Sequence, residues 1–597
     1  MSKLLGRGEI PTMGTFHSIG VKILRAEGRL VGLTPDFVIY DDNDQESLLK
    51  DILLRQRIDP TRYKPQMFSA IIDRAKNNLQ TPEDLSDGDQ KFSNTARTVY
   101  AQYQAELQKN NAVDFGDLLT LPVRIWREHP EVLQKYQELW QYILIDEYQD
   151  TNFAQYTFAK LLAQAHQNIF VVGDDAQAIY GFRGADLQNI LDFEKDYPQA
   201  QVIRLEQNYR STSPILAVAE KIIELSPRQH KKRLWTENEH GDAPTLFVAE
   251  DELAEAYFVA SMIIERQDGR AAKELTYDYE NEDETILGRL MRQARSRVLP
   301  KLKNREGLNQ IAVLYRTHAQ SRVLEEVMIE TGIPYQIVGG LKFYERKEIK
   351  DVLSYLRLLV NPNDVVSLKR VVNLPPRGIG PKTFELLKDA LIEKQESDLA
   401  NLFASKPAVK TFFENLDWLR HLEDSGNLLD VLKQTLKVSG YEAFLRDGSE
   451  EGENRWENVQ ELFNVAGSFR KLPWREGLVK FLEEVALMTS ADEVDPDSPS
   501  ITLMTLHQAK GLEFDCVFLV GFEEGILPHS RSLLEPKEIA EEIRLAYVGV
   551  TRARKKLYLV YARSRKTYGQ RNLTAPSRIL KAIPEELLEI KNTLWTV

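Results

Sequence analysis

The sequence predicts an α/β protein with two parallel-sheet cores, each carrying a helical insertion. Short apolar runs that end abruptly in polar residues alternate with helical patterns, which is the rhythm of parallel α/β folds. The chain has 597 residues, and at roughly 150 residues per domain this length predicts about four domains. Two cores and two insertions account for those four units.

The clearest predicted strands form two groups along the chain. One group precedes about residue 212, and the second is split between about 213–375 and 500–580. The predicted strands are Tyr142–Ile145, Ile169–Gly173, Val202–Leu205, Thr245–Val248, Ile311–Tyr315, Thr502–Leu506, Val517–Val520 and Leu557–Val560. Each group is expected to form one parallel sheet.

Two helix-rich intervals interrupt these groups and set the predicted domain boundaries. Residues 42–107 interrupt the first core, and residues 376–499 interrupt the second. The second interval ends in the acidic, Pro- and Ser-containing stretch Ala491–Ser500, which has the composition of a solvated linker. We therefore expect a first α/β core at 1–41 and 108–212 and a second at 213–375 and 500–597.

Composition excludes several classes of protein. The 77 basic and 90 acidic residues give a net charge of −13, which argues against a polybasic nucleic-acid coat protein but leaves room for a local basic groove. The single cysteine, Cys516, excludes an intramolecular disulfide framework and a cysteine-based zinc site, so a cytoplasmic location is expected. The longest apolar runs fall far short of the roughly 18 residues of a membrane helix.

A strongly charged segment at about 268–305 has two interpretations. The acidic run YENEDE at 279–284 precedes a basic stretch between Arg289 and Arg305. A solvated helix on a surface insertion is the favoured interpretation, and a nucleic-acid contact is the alternative.

The strongest local signal for chemistry is QYILIDEYQDTN at 141–152. An apolar strand there would place Asp146 and Glu147 at its carboxyl end, where open α/β sheets bind their ligands. Adjacent carboxylates suit a nucleotide-hydrolysing site, with Asp146 holding Mg²⁺ and Glu147 orienting and deprotonating the attacking water. Taken alone, an ordinary exposed loop explains the pair equally well.

A second apolar strand ends in VVGDDAQAIYGFRGA at 171–185, which places Gln177 near the same sheet edge. A neutral amide there can hydrogen-bond a terminal phosphate and so sense its presence. Tyr180, Phe182 and Arg183 follow directly, and two aromatic faces beside an arginine suit sequence-independent binding of single-stranded nucleic acid. Core packing of the two rings is the alternative interpretation.

A series of further segments follows these in order along the chain. The series consists of TFHS (15–18), DEYQDTN (146–152), GDDAQAIYGFRGA (173–185), LEQNYRST (205–212), IAVLYRTHAQSR (311–322), FYERKEIKD (343–351), TLHQAKGLEF (505–514) and LAYVGVTRARKKL (545–557). Together they resemble the motifs of superfamily 1 helicases of the UvrD/Rep/PcrA branch over nearly the whole chain. The resemblance implies two RecA-like domains of the P-loop NTPase fold that use ATP and Mg²⁺ to move 3′→5′ along single-stranded DNA. It also implies action at junctions of single-stranded and duplex DNA, in repair or replication.

The resemblance also implies roles at the nucleotide. Arg210 and Arg552 are similar to the family's two arginine fingers, one from each α/β domain, which neutralise charge on the transferred phosphate and are worth on the order of 10³–10⁵ in rate. Tyr209 is similar to the residue that stacks on adenine, and Glu513 to the one that contacts the ribose. For Arg552, a cation at a helix end is the alternative interpretation.

Four other residues are implied to contact DNA. Thr15 and His17 resemble the backbone-contacting residues of the TFHS motif, and His507 resembles the histidine that lies at the DNA and couples the domains. Tyr568 occupies the place of a base-stacking aromatic. Histidines are more often structural, so both histidines keep that alternative.

The family pattern also includes a glycine-rich phosphate loop, G-x-x-x-x-G-K-[ST], and no such string occurs in the sequence. Fewer residues precede Thr15 than the roughly 30 that a βαβ opening needs, so we expect the first core to be truncated at its amino end. Two hypotheses follow: an ATP-dependent DNA helicase represented by an incomplete chain, and a non-hydrolytic DNA-binding or regulatory relative. A helicase–nuclease fits less well, because too few residues follow Arg552 for a nuclease domain.

Overall fold

The computed structural model describes residues 11–60, 63–85, 90–227, 232–269, 302–362, 364–392, 396–422, 426–491, 499–567 and 570–592. These residues form an α/β fold with parallel sheets, so the predicted fold class is confirmed. The chain divides into two compact units, one comprising Met1–Arg204 with Arg228–Lys231 and the other Leu205–Pro227 with Lys232–Val597. The predicted boundaries of the helical insertions remain predictions.

Within its described residues, the first unit contains two pairs of short parallel strands. Strand β1 (Val38–Ile39) pairs with β2 (Ala112–Val113), and β3 (Ile143–Ile145) pairs with β4 (Ile169–Val171). In the second pair Leu144 lies opposite Phe170. Because β3 and β4 run parallel and in register, the residues that follow them emerge at one edge.

Helices form a large part of the described residues of the first unit. They are Phe16–Glu27, Asp42–Arg55, Pro65–Asn77, Gln90–Lys109, Asp117–Glu128, Pro130–Leu139, Phe153–Ala163, Gln188–Leu191 and Phe193–Asp196. The helix that follows the β3 turn begins with a capping box, in which Asn152 accepts from the Gln155 backbone and Gln155 accepts from the Asn152 backbone. Trp126 and Phe158 pack edge to face at 4.7 Å in the core behind it.

The second unit is built on a seven-stranded parallel sheet within its described residues. Its strands, with an appended hairpin, are β5 (Thr245–Ala249), β6 (Ile311–Tyr315), β7 (Tyr335–Ile337), β8 (Ile501–Thr505), β9 (Phe514–Leu519), β10 (Ala553–Ala562), β11 (Ser564–Thr567), β12 (Gln570–Leu573) and β13 (Glu589–Asn592). The spatial order is β13-β5-β10-β9-β6-β8-β7, and β11 and β12 form the antiparallel hairpin. Every residue of β5, β6 and β8 is buried, as expected for a parallel sheet covered on both faces.

The helices of the second unit form two sets. Those of the sheet layer are Ser213–Ile223, Glu252–Asp268, Ser321–Thr331 and Pro536–Val550. The remaining helices pack around a large apolar core between residues 343 and 485. They are Lys347–Val360, Val365–Val371, Pro381–Ile392, Glu396–Ser405, Pro407–Arg420, Leu428–Ser439, Tyr441–Leu445, Glu450–Gly467 and Trp474–Ala491.

One predicted strand is wrong. Residues Val202–Leu205 join no sheet among the described strands, and Val202, Ile203 and Leu205 are all exposed. An apolar run becomes a strand only when a partner supplies its ladder hydrogen bonds, and this run has none in the described structure. The basic stretch from Arg289 to Lys301 and most of the Ala491–Ser500 linker lie outside the described residues. In the described part of the chain, no helix is long and apolar enough to cross a membrane.

Candidate functional site

The predicted carboxylates lie where β3 ends. Asp146 and Glu147 are both exposed, and the Glu147 amide donates to Asp146 Oδ1 at 3.0 Å. Glu147 has a φ of 52°, in the left-handed region that residues other than glycine seldom adopt. The Tyr148 amide then donates to the Val172 carbonyl at 2.9 Å, which fastens the turn to the end of β4. The surrounding bonds therefore hold Glu147 in a backbone conformation that costs about 1 kcal/mol.

A buried amide connects this turn to the segment after β4. The side chain of Gln149 is 0% exposed, its Nε2 donates to Glu147 Oε2 at 2.5 Å, and its Oε1 accepts from the Asp174 amide at 3.0 Å. Gly173 lies against it, because a Cβ added there would stand 2.6 Å from Gln149 Oε1. Sequence reasoning missed Gln149, and its only signal was an amide two residues beyond Glu147 within QYILIDEYQDTN.

Gln177 reaches the same edge through Asp174. It ends the short 3₁₀ helix Asp175–Gln177, and its Nε2 donates to Asp174 Oδ2 at 2.9 Å. Asp174 Oδ1 caps the same turn by accepting from the Ala176 amide at 3.0 Å. The structure thus brings Glu147 and Gln177 into one hydrogen-bonded chain, as their positions after neighbouring strands predicted.

The aromatic segment that follows is partly exposed. Phe182 is 50% exposed, and Tyr180 is half-buried, with its ring centroid 6.1 Å from that of Phe182. The Arg183 guanidinium lies 5.5 Å from the Tyr180 ring and 5.4 Å from the Phe182 ring. Burial raises the pKa of the Tyr180 hydroxyl, so this ring is neutral at physiological pH. Phe182 and Arg183 therefore face solvent, where a base and a phosphate can reach them.

The residues of the TFHS segment have structural roles in this unit. Thr15 is the N-cap of helix Phe16–Glu27, and its hydroxyl accepts from the Ser18 amide at 3.2 Å. The His17 ring meets Phe115 edge-on at 6.2 Å, and burial lowers the pKa of His17, which keeps the ring neutral near pH 7. A neutral imidazole donates or accepts a hydrogen bond but brings no charge to a phosphate.

In the second unit, Arg210 and Glu513 are paired with each other. Arg210 Nε donates to Glu513 Oε2 at 2.7 Å, and Arg210 Nη1 donates to the Thr551 carbonyl at 3.4 Å. The hydrogen bond from Arg210 lowers the pKa of Glu513. Tyr209 beside them is exposed, and its hydroxyl donates to Gln207 Oε1 at 2.8 Å. The exposed Tyr209 ring is available for stacking.

Arg552 is buried at the end of helix Pro536–Val550, with only 1% of its surface exposed. Its Nε donates to the Val548 carbonyl at 2.9 Å, and its Nη1 donates to the Leu512 carbonyl at 3.2 Å. The bond to Val548 satisfies a carbonyl at a helix end, which is the alternative role considered for this residue, and the bond to Leu512 joins it to the segment before β9. The resemblance implies one arginine finger from each α/β domain, whereas Arg210 and Arg552 both fall in the second compact unit.

The last two predicted DNA contacts are less defined. His507 is half-buried in the turn that follows β8, where Gln508 Oε1 accepts from the Thr505 amide at 3.1 Å and Gln508 Nε2 donates to the Gly339 carbonyl at 3.1 Å. Tyr568 lies outside the described residues.

The described residues contain no group of three or more metal-ligating side chains. Mg²⁺ keeps several waters and is typically bound through one or two carboxylates together with substrate phosphates, without a full protein cage. The exposed carboxylate of Asp146 at the end of β3 fits that role.

Comparisons with known proteins match nearly the whole chain. Residues 3–198 match the family model described as UvrD/REP helicase N-terminal domain, and residues 203–564 match the UvrD-like helicase C-terminal domain. The ATP-dependent DNA helicase PcrA of Staphylococcus aureus is 40% identical over 607 aligned positions, covering 99% of this chain and 78% of the relative. PcrA of Staphylococcus epidermidis is 41% identical over 594 positions, covering 97% and 76%.

Proposed function

The chain belongs to the UvrD/Rep helicase family and is an ATP-dependent DNA helicase, and from that premise we propose that it moves 3′→5′ along single-stranded DNA. We further propose that it unwinds at junctions of single-stranded and duplex DNA, in repair or replication restart, within the cytoplasm. Hydrolysis at the end of β3 is supported by the hydrogen-bonded chain from Glu147 through Gln149 and Asp174 to Gln177, and the DNA substrate is supported by the match to the UvrD/Rep helicase family.

Glu147 is the proposed general base. Its carboxylate is exposed at the carboxyl end of β3, so it can accept a proton from the water that attacks the terminal phosphate. Asp146 would hold Mg²⁺, which supplies positive charge to the phosphates when bound. Gln177 is the proposed phosphate sensor, because its amide lies on a segment tied to the base.

Arg210 and Arg552 are the proposed sources of positive charge in the second unit. Arg210 is partly exposed and paired with Glu513, so it reaches a phosphate only after that pair exchanges partners. Arg552 is buried among carbonyls and has much less freedom to move. We therefore expect Arg210 to be the mobile finger and Arg552 the fixed one.

Phe182 and Arg183 form the proposed DNA platform, with Tyr180, Thr15, His17, His507 and Tyr568 as further proposed contacts. Stacking on Phe182 is independent of base identity, and Arg183 supplies attraction to the backbone. A non-hydrolytic DNA-binding or regulatory relative is not favoured, because similar proteins named ATP-dependent DNA helicase match nearly the whole chain.

The proposal is tested by assaying the purified chain for ATP hydrolysis and strand separation. We expect single-stranded DNA to stimulate hydrolysis, and a duplex with a 3′ single-stranded tail to be unwound. A duplex with a 5′ tail and a blunt duplex serve as matched controls and should remain paired. A rate of ATP hydrolysis that single-stranded DNA does not raise, or unwinding of the duplex with a 5′ tail, would contradict the proposal.

A further inference from the structure

Gln149 occupies an unusual position between the two segments that carry the catalytic candidates. It is fully buried, yet both ends of its amide are used: Nε2 donates to Glu147 Oε2 at 2.5 Å and Oε1 accepts from the Asp174 amide at 3.0 Å. A buried amide with both ends satisfied has one favourable orientation, because rotating it would bring like groups together. The Gln149 side chain therefore holds the Glu147 turn and the Asp174 segment in a fixed relation.

We propose that Gln149 is a positioning residue for ATP hydrolysis, which holds the Glu147 carboxylate in orientation and ties it to the segment carrying Gln177. The inference rests on the proposed function, since it assigns a role within that same reaction. Gln149 touches neither nucleotide nor water in this role and acts through Glu147. A hydrogen bond to an ionised carboxylate is stronger than one between neutral groups, so the Gln149 amide is able to fix the orientation of the Glu147 carboxylate.

The residues around Gln149 restrict the movement of the two segments that it joins. Glu147 is held at a φ of 52°, and Gly173 is packed so closely that a Cβ would stand 2.6 Å from Gln149 Oε1. On the other side, Gln177 Nε2 donates to Asp174 Oδ2 at 2.9 Å, so a shift of Gln177 is passed to Asp174. Movement of the proposed phosphate sensor and the orientation of the proposed base are thereby coupled through Gln149.

Two substitutions separate the two bonds. Gln149→Glu keeps an acceptor for the Asp174 amide but, when ionised, cannot donate to Glu147. Gln149→Leu removes both bonds. In Gln149→Glu a second carboxyl lies against Glu147 and competes with the attacking water for this base, because two carboxyl groups in contact share a proton. In Gln149→Leu the hydrogen bond to Glu147 is lost. We therefore expect kcat for DNA-stimulated ATP hydrolysis to fall about 10- to 100-fold in both, with KM for ATP changed less than about twofold.

Amide hydrogen exchange at Asp174 supplies a readout that does not need hydrolysis. Exchange should stay slow in Gln149→Glu and become about tenfold faster in Gln149→Leu, where the acceptor is gone. Asn189→Leu is the matched control, because Asn189 is another buried amide of the same unit and donates to the Thr151 carbonyl at 2.8 Å. It should lower stability while leaving kcat and Asp174 exchange as in the wild type.

The outcomes distinguish this inference from the proposed function. Wild-type kcat in both Gln149 variants, or an equal loss of kcat in Asn189→Leu, would overturn the positioning role. Slow Asp174 exchange in Gln149→Leu would overturn the link itself. A wild-type chain without DNA-stimulated hydrolysis would overturn the proposed function and, with it, the positioning role. Amide hydrogen exchange at Asp174 would then still show whether Gln149 accepts the hydrogen bond from the Asp174 amide.

Discussion

The strand pair β3–β4 and the seven-stranded sheet carry their functional candidates in very different surroundings. Leu144 on β3 is 74% exposed and Phe170 opposite it is also exposed, whereas Leu314 on β6 is 0% exposed. Both are parallel sheets, which ordinarily bury both faces. Glu147 and Gln177 are therefore held by hydrogen bonds beside exposed strands, whereas the hydrogen bonds of Arg552 are buried between a helix end and β10.

The largest expected effect comes from removing the same side chain in both sheets. Leu314→Ala should lower the free energy of unfolding by about 2–5 kcal/mol, because it leaves a cavity in a close-packed core. Leu144→Ala should change it by less than about 0.5 kcal/mol, because the side chain is already in solvent. Urea unfolding of the two variants measures both values, and equal losses would break the comparison.

Two histidines extend the comparison to pH. Burial, reinforced by the charge of Arg346, lowers the pKa of His318 in the second unit to about 4, against about 6.5 in an unfolded chain. The unfolded chain therefore binds the proton at a higher pH than the folded chain does. The free energy of unfolding that depends on a neutral His318 is complete above about pH 6.5, and about 3 kcal/mol of it is lost as the pH falls towards 4.

His318→Gln should remove this dependence, so the difference in unfolding free energy between wild type and variant should change steadily from pH 7 to pH 4. His17→Gln in the first unit should show a change of the same sign, because burial also lowers the pKa of His17. A difference for His318→Gln that stays constant with pH would refute the assignment.

The two proposed arginine fingers should differ in their contribution to stability. Arg552→Met removes the buried guanidinium that donates to the Leu512 and Val548 carbonyls, of which Val548 keeps the Thr551 hydroxyl as a donor, and should cost about 2 kcal/mol. Arg210→Met breaks a partly exposed pair with Glu513 and should cost less than about 1 kcal/mol. Denaturant unfolding compares them, and a larger loss for Arg210→Met would reverse the assignment of fixed and mobile fingers.

The smallest expected effect on stability is at the aromatic platform. Phe182→Ala should leave the free energy of unfolding within about 0.5 kcal/mol, because half of the ring is exposed. It should weaken binding of single-stranded DNA by about 1–3 kcal/mol and impair unwinding more than basal ATP hydrolysis. Equal losses of unwinding and basal hydrolysis would indicate a structural role for the ring.

Strands were predicted correctly where an uninterrupted apolar run is buried within a sheet. Ile311–Tyr315 lies inside the large sheet between β9 and β8, and its uninterrupted apolar run matches the observed strand. Val202–Leu205 has the same kind of run but no partner strand in the described structure, and periodicity carries no information about partners. The three-residue strand Tyr335–Ile337 was missed because it is too short to show a pattern.

The candidate site was predictable in part for a similar reason. Strand ends and adjacent carboxylates are visible in sequence, so Asp146, Glu147 and Gln177 could be proposed together. The two hydrogen bonds of Gln149 could not be predicted, because they depend on the register of β3 against β4 and on the turn geometry after both strands. The pairing of Arg210 with Glu513 spans distant parts of the chain and likewise needed the fold.

The substitution Glu147→Gln removes the proposed base and so tests whether ATP is hydrolysed at the end of β3. The amide keeps the size of the side chain but cannot accept the proton of the attacking water, so DNA-stimulated hydrolysis should fall about 10²- to 10⁴-fold. Binding of ATP and of single-stranded DNA should remain as in the wild type, since Glu147 is not proposed to bind either. Turnover that is unchanged in this variant would contradict the assignment of the β3 edge as the site of hydrolysis.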